Sequence, residues 1–214
     1  MERSKSFSIE VFGELAMFTT PQSKLSCERI SYPMPTYSSL VGILERVYYK
    51  PGIKWVVEKC RVLSPIDYER ISILSPSFKF TGYEKRMRYV YLYLKKPRYQ
   101  IQAHYEKDNH FYGRPDYHLG HDKRIEGAIQ YGGRDMIRLG SGNCVGYYKG
   151  CEFGSGEGYY DTISDIEPVY MFYEFIKSQK TNEIKKAGFW FQEMKNGIIE
   201  FDNRRVCYRE WKKS

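Results

Sequence analysis

The segment Ser31-Tyr32-Pro33-Met34-Pro35-Thr36-Tyr37-Ser38-Ser39-Leu40-Val41-Gly42-Ile43-Leu44-Glu45-Arg46-Val47-Tyr48-Tyr49-Lys50-Pro51-Gly52 runs into Ile53-Lys54-Trp55-Val56-Val57-Glu58-Lys59-Cys60-Arg61-Val62-Leu63. It reads as one amphipathic helix feeding one long strand. Leu40, Ile43, Leu44 and Val47 stand at the i, i+3, i+4, i+7 spacing that a helix buries on one side. Tyr48 follows Leu44 by one turn. Tyr49-Lys50-Pro51-Gly52 stops the helix, because proline disfavours the α region for the residue before it and has no N–H to continue the ladder. Ile53 to Leu63, rich in β-branched and aromatic residues, then reads as a buried strand.

Outward from that pair, Phe7, Ile9 and Val11 alternate with Ser8, Glu10 and Phe12, which predicts a first strand with one well-covered face. Tyr68 to Leu74 predicts a third strand, ended by Ser75-Pro76-Ser77. Arg86 to Leu94 and Tyr99 to Glu106 read as a hairpin closed by Lys95-Lys96-Pro97-Arg98. A second helix, about Asp122 to Tyr131, buries Ile125, Ala128 and Ile129 and ends at Gly132-Gly133. Near the end, Lys195-Asn196-Gly197 between Phe189-Trp190-Phe191 and Ile198-Ile199-Glu200-Phe201 is a strong hairpin signal. Strand, helix, strands, helix, strand predicts an α+β fold with a ferredoxin-like (RRM-like) sheet over residues 1–150 and a C-terminal β extension over 151–214.

Between these parts lie Gly140, Gly142, Gly146, Gly150, Gly154, Gly156 and Gly158. A glycine-rich loop of this kind is a bulged strand or long turn, or a backbone surface that lies against a ribose-phosphate chain. Its spacing is not that of a dinucleotide fingerprint.

With 214 residues the chain can bury a core without disulfides. Its 5 cysteines are odd in number and form no C-x-x-C pair, which points to a reducing, cytoplasmic setting. The opening Met1-Glu2-Arg3-Ser4-Lys5 runs straight into a strand pattern, and no apolar run approaches the ~20 residues of a membrane helix, so neither a signal peptide nor a membrane span is expected. A net charge of +8 and a pI near 9.1 favour an anionic partner, nucleic acid ahead of a membrane surface. A solvated basic face would look the same by charge alone.

The blocks Gly42 to Pro51 (G-I-L-E-R-V-Y-Y-K-P), Trp55 to Ile66 (W-V-V-E-K-C-R-V-L-S-P-I), Phe7 to Thr19, Tyr99 to Glu106 and Cys151 to Asp161 resemble the type I-C CRISPR-associated processing endoribonucleases, the d subtype of the fifth Cas family in the RAMP superfamily. The resemblance thins in the C-terminal tail. It implies a metal-independent endoribonuclease that cuts CRISPR precursor RNA at the repeat hairpin by 2′-OH attack. The enzyme would then stay on the 5′ handle of the mature guide RNA, beside the backbone and large subunits of the interference complex, with target DNA as a further contact. No cofactor and no metal is implied.

Residue by residue, the family's tyrosine in its Y-x-K-P context corresponds to Tyr48, and the histidine before the second helix to His121. The family's lysine does not carry over: Gly120 precedes His121, and the nearest lysine is Lys123, here assigned to the phosphate. That departure favours an alternative, a non-catalytic scaffold holding the guide handle; a generic basic RNA-binding module is a further one. By residue type alone, Tyr48 is a core tyrosine and His121 a helix-end residue. A helix N-terminus favours an anion and a histidine can move a proton beside it, so the place suits phosphoryl chemistry. All 4 histidines lie between 104 and 121; His118 and His121 are close enough to share a metal, but no H-E-x-x-H helix or cysteine pair accompanies them. His104 reads as structural or solvent-facing.

RNA contact is expected along Arg86 to Arg98, where Tyr89, Tyr91 and Tyr93 share a strand face bordered by Arg86, Arg88, Lys95, Lys96 and Arg98. A second layer of packing against the C-terminal hairpin is the other use of that face. Lys50, Arg134 and Arg138 complete the expected RNA-binding set.

Overall fold

In chain order, the computed structural model contains β1 (Glu2–Arg3), β2 (Phe7–Gly13), β3 (Leu15–Ala16), β4 (Glu28–Ile30), α1 (Tyr37–Val47), β5 (Ile53–Val62), β6 (Tyr68–Leu74), β7 (Lys79–Phe80), β8 (Tyr83–Glu84) and β9 (Arg88–Lys95). There follow β10 (Arg98–Lys107), α2 (His121–Tyr131), β11 (Gly146–Gly150), β12 (Ile166–Lys177), β13 (Ile184–Met194), β14 (Ile198–Glu200) and β15 (Cys207–Glu210). The structure describes residues 2–21, 23, 27–74, 79–80, 83–84, 88–107, 120–163, 166–178 and 183–210. Ser75-Pro76-Ser77, Arg86, His110 and His118 lie outside the described residues.

The chain is a mixed α+β structure of mostly antiparallel sheets and, among the described residues, two α-helices. The largest sheet runs β11-β2-β10-β5-β14, with β1 added on β10. Its register sorts residues onto two faces. Ile9, Ile101 and Cys60 align, as do Val11, Tyr99 and Val62, and these apolar rows meet Leu40, Ile43, Leu44 and Val47 of α1 and Ile125 of α2 in one core. One residue over, Glu10, Gln100 and Arg61 align on the opposite face.

The helix ends follow their local chemistry. Thr36 caps α1 by accepting from the Ser39 N–H, and the Tyr48 N–H closes the last turn on the Leu44 carbonyl at 2.8 Å. Gly52, at φ 82, supplies the left-handed turn after Pro51. α2 begins at His121, one residue earlier than the sequence suggests, after Gly120 at φ 85. Ile125 is fully buried, whereas Ala128 and Ile129 are only partly covered.

Two hairpin expectations need correction. β9 and β10 do not pair. β9 lies in a second sheet with β3, β4 and β6, while β10 sits in the largest sheet, and Lys95 to Arg98 is a corner between them. The reason is visible in the partners: β2 and β3 pair with β10 and β9 respectively, and β5 and β6 do the same, so three chain segments cross the seam together. Lys96 at φ 44 makes the bend, its N–H bonded to the Glu14 carbonyl at 2.8 Å. A corner and a turn use the same residue types. The second case is half right. Asn196 and Gly197, at φ 48 and 74, form the tight turn that Asn-Gly announces, with reciprocal bonds between Lys195 and Ile198. The flanking strands then part, β13 pairing with β12 and β15, and β14 joining β5 at the edge of the largest sheet.

Around the glycines, β11 pairs with β2. At Gly140, φ 85, a Cβ would stand 2.2 Å from the Met17 carbonyl oxygen, so close backbone approach does require glycine there. Residues 154–161 are held on the polar face of the largest sheet. Buried Arg61 donates to the Ser155 and Gly156 carbonyls and pairs with Asp161 at 2.6 Å, while Gln100 accepts from the Gly154 N–H.

Candidate active site

Tyr48 and His121 meet across the ends of the two helices. α1 delivers Tyr48 at its C-terminal cap, and α2 presents His121 at its first residue. The C-terminal end of α1 is also tied to the segment that follows α2: the Arg134 and Asp135 N–H groups donate to the Val47 and Arg46 carbonyls at 3.1 and 3.0 Å, and an Arg46–Asp135 ion pair adds to the joint. Gly133 is required here, since a Cβ would come within 2.6 Å of the Val47 carbonyl oxygen. The Trp55 indole N–H donates to the Tyr48 carbonyl at 2.8 Å and fixes the backbone beneath the ring.

The Tyr48 hydroxyl lies 2.8 Å from His121 Nδ1. The two residues are 8% and 4% exposed, so they form a preset, largely enclosed unit. Tyr105 packs its ring edge-on to His121 at 6.0 Å and donates its hydroxyl to Asp122 Oδ1 at 2.8 Å. Burial pushes the Tyr48 phenol above its ordinary value, while the positive charge of the nearby Arg124 guanidinium pulls the other way. A phenol that keeps its proton can donate to Nδ1 in the tautomer that carries its proton on Nε2, and accept from Nδ1–H in the other.

Of the residues expected from sequence, Tyr48 and His121 come together. Lys123 is exposed on the first turn of α2, about 100° around the helix from Arg124. Arg124 was missed by sequence reasoning; its position three residues after His121 puts the two on one helix face, and that spacing could have found it. Lys50 is exposed just beyond Tyr48, and the Arg134 guanidinium lies 5.2 Å over the Tyr49 ring at the same corner. Arg138 bridges to Val145 in the backbone. Arg98 pairs with Glu10 at 2.7 Å on the polar sheet face.

Arg88, Lys95 and Lys96 are exposed on the second sheet. Their tyrosine row is partly spoken for: Tyr93 is buried and accepts from Asn143, Tyr91 stacks on Tyr93 at 5.8 Å with Arg29 above it, and Tyr89 is half-buried. His104 is buried with Nδ1 2.7 Å from Glu58 Oε1. Among the described residues, no group of three or more His, Cys, Asp or Glu side chains could hold a metal ion, and no helix is long and apolar enough to cross a membrane.

Known proteins similar to the chain agree with this architecture. A "CRISPR pre-crRNA endoribonuclease Cas5d" of Mannheimia succiniciproducens is 41% identical over 63 residues, 29% of this chain and 27% of the relative. One of the same description from Thermus thermophilus is 42% identical over 55 residues, 26% of this chain and 23% of the relative. The chain thus matches about a quarter of the length of each of these curated relatives. A solved structure described as "Crystal Structure of CRISPR-associated Protein" superposes with a TM-score of 0.71 at 27% identity, covering 94% of both chains. A functionally uncharacterized protein from Streptococcus mutans, SMU1763c, shares the fold with a TM-score of 0.71 at 23% identity and 95% coverage of both chains. The family model Cas_Cas5d, described as "CRISPR-associated protein (Cas_Cas5)", matches residues 7–202, reaching well into the C-terminal tail, and the chain belongs to that family.

Proposed function

We propose that this protein is an endoribonuclease that cuts CRISPR precursor RNA at the repeat hairpin without a metal ion and then remains on the guide's 5′ handle as a subunit of a type I-C interference complex in the cytoplasm. The carrying observation is the 2.8 Å bond between the Tyr48 hydroxyl and His121 Nδ1. In this reading the substrate 2′-hydroxyl gives its proton to the Tyr48 oxygen as the Tyr48 proton passes to Nδ1. The 2′-oxygen attacks phosphorus, the bond from phosphorus to the 5′-oxygen breaks, and that oxygen leaves with a proton drawn from the imidazolium. The products are a 2′,3′-cyclic phosphate and a 5′-hydroxyl. Arg124 steadies the charge that develops on the phenol and phosphorane, and the first turn of α2, with Lys123, faces the phosphate.

The order β11-β2-β10-β5, with a helix after the first and third of these strands in sequence, supports a ferredoxin-like core over residues 1–150, to which 151–214 is the extension. The repeat would be gripped by Lys50 and Arg134 near the C-terminal end of α1, and by Arg88, Tyr89, Tyr91, Lys95 and Lys96 of β9 and the corner after it, with Arg98 and Arg138 as further cations and Arg86 among the contacts expected from sequence.

The test is incubation of the protein with its cognate repeat RNA in EDTA. Cleavage to a cyclic phosphate, lost in Tyr48→Phe by roughly 10²- to 10⁴-fold with RNA binding kept, supports the enzyme. The absence of a lysine before His121 favours the second reading, a scaffold that holds the handle, and tight binding without cutting would establish it.

A further inference from the structure

β12, β13 and β15 form a three-stranded sheet with one buried and one exposed face. The inner face carries Met171, Tyr173 and Trp190, all buried, with Tyr173 stacked on Tyr37 of α1 at 4.2 Å. The outer face is also aromatic. Tyr170 stands opposite Phe191 and Phe172 opposite Phe189, on adjacent antiparallel strands. Tyr170 is 41% and Phe191 63% exposed. A register shift between Phe172 and Phe175 then sets Phe175 opposite Ala187, which keeps a third aromatic of β12 on this face with its ring 4.6 Å from that of Phe172.

A single exposed aromatic residue needs no explanation, but a contiguous row of them marks a contact surface. The pairs also rest on one another, Tyr170 on Phe189 at 5.7 Å with an interplanar angle of 14°. The row is not uniformly apolar. Arg209 stands opposite Ala187 on β15, and alternation puts exposed Lys185 on the same face, so cations gather at the Phe175 end. Rings paired across neighbouring strands, with cations at one end, fit a chain of flat bases joined by phosphates. An apolar protein partner would have no use for the cations.

We infer that the outer face of this sheet is a stacking platform for single-stranded RNA, the stretch that flanks the hairpin. The inference rests on the proposed RNA-processing reading and deepens it. The inner face of the same sheet packs on Tyr37 at the start of α1, and Tyr48 of the dyad follows the other end of that helix, about 16 Å along its axis at 1.5 Å per residue.

The experiment compares binding of a short fluorescent oligoadenylate with that of an abasic oligonucleotide of equal length, which keeps the phosphates and removes the bases. The wild-type protein should prefer the adenylate. Phe191→Ala, at a site exposed enough to leave folding intact, should weaken adenylate binding about fivefold or more and leave the abasic probe unchanged, whereas Phe191→Trp should keep the preference. Arg209→Gln should weaken both probes and lower the salt slope by about one. Equal binding of the two probes by wild type, or an unchanged adenylate affinity in Phe191→Ala, overturns the platform; loss of another subunit's binding in that same variant would then assign the face to a protein. Cleavage of the repeat hairpin is scored separately. A protein that prefers adenylate through Phe191 yet never cuts keeps the platform and loses the endoribonuclease, and one that cuts while ignoring Phe191 does the reverse.

Discussion

His104 and His121 lie on opposite sides of the same sheet, both buried, each with Nδ1 within 2.8 Å of a single oxygen. Their settings differ in kind. His104 faces Glu58, whose Oε1 also accepts from Ser6 at 2.8 Å and from Arg3 at 2.9 Å, so this one oxygen is shared by three groups and the cluster ties the N-terminal segment to β5. His121 faces a phenol that keeps its proton, stands on the first turn of a helix and has an arginine three residues on. A histidine in a carboxylate cluster that ties two segments together holds structure. One against a neutral hydroxyl at a helix N-terminus can pass a proton next to an anion.

The sharpest way to break this comparison is to remove each imidazole in turn. His121→Asn should slow single-turnover cleavage of repeat RNA by roughly 10²- to 10⁴-fold. His104→Asn should leave that rate nearly intact and lower unfolding stability by about 1–3 kcal/mol, because Glu58 loses a buried partner. Equal losses of rate in the two variants would mean that the faces are not divided as described. A smaller effect separates the two cations of α2. Arg124→Gln should slow cleavage about tenfold, for loss of the positive charge beside the Tyr48 phenol, and Lys123→Gln no more than about threefold. The reverse order would return the phosphate to Lys123.

The two faces should also part company with pH. Burial pushes the Glu58 and Glu10 carboxyls up, but Ser6, His104 and Arg3 in the first case, and Arg98 and Lys149 in the second, more than offset it, and both end below the usual carboxylate range. Asp161 is held low by Arg61. For such depressed groups the stabilisation is present above the unfolded value, near ~4, and disappears as pH falls through the folded one. The melting temperature should therefore drop steeply below about pH 4, and less steeply in Glu58→Gln. Tyr48 behaves in the opposite sense. Its raised phenol contributes below about pH 10 and is lost above, so cleavage should show no tyrosine limb between about pH 6 and 9.

How far the sequence foretold these features depends on the range of the interaction. α1, β5 and β6 are local, set by periodicity and by Pro51-Gly52, and the first strand, both helices and the Asn196-Gly197 turn were readable for the same reason. The crossing of three strands between two sheets was not, since Lys95 to Arg98 carries the residues of a turn and only the partners β3 and β6 reveal a corner. At the site, the resemblance named Tyr48 and His121, residues 73 apart in sequence, which no spacing rule would join. Arg124 lay within reach of helix periodicity, three residues after His121 on the same face. Tyr105 could be placed on the core face by alternation, though its bond to Asp122 depends on where α2 docks.

That bond offers the smallest and finest test. Tyr105 does two things for His121: its ring closes one side of the imidazole, with Phe7 and Trp55 packed behind it, and its hydroxyl holds Asp122 at 2.8 Å. Tyr105→Phe keeps the ring and deletes only the hydroxyl. If the imidazole is aimed by packing, cleavage should fall no more than about threefold and stability by about 1 kcal/mol, the ordinary value of one hydrogen bond. A loss near a hundredfold would say that Asp122, freed from Tyr105, disturbs the charge around His121 and Arg124. The chemistry of this corner would then be governed by the placing of a carboxylate as much as by the meeting of a phenol and an imidazole.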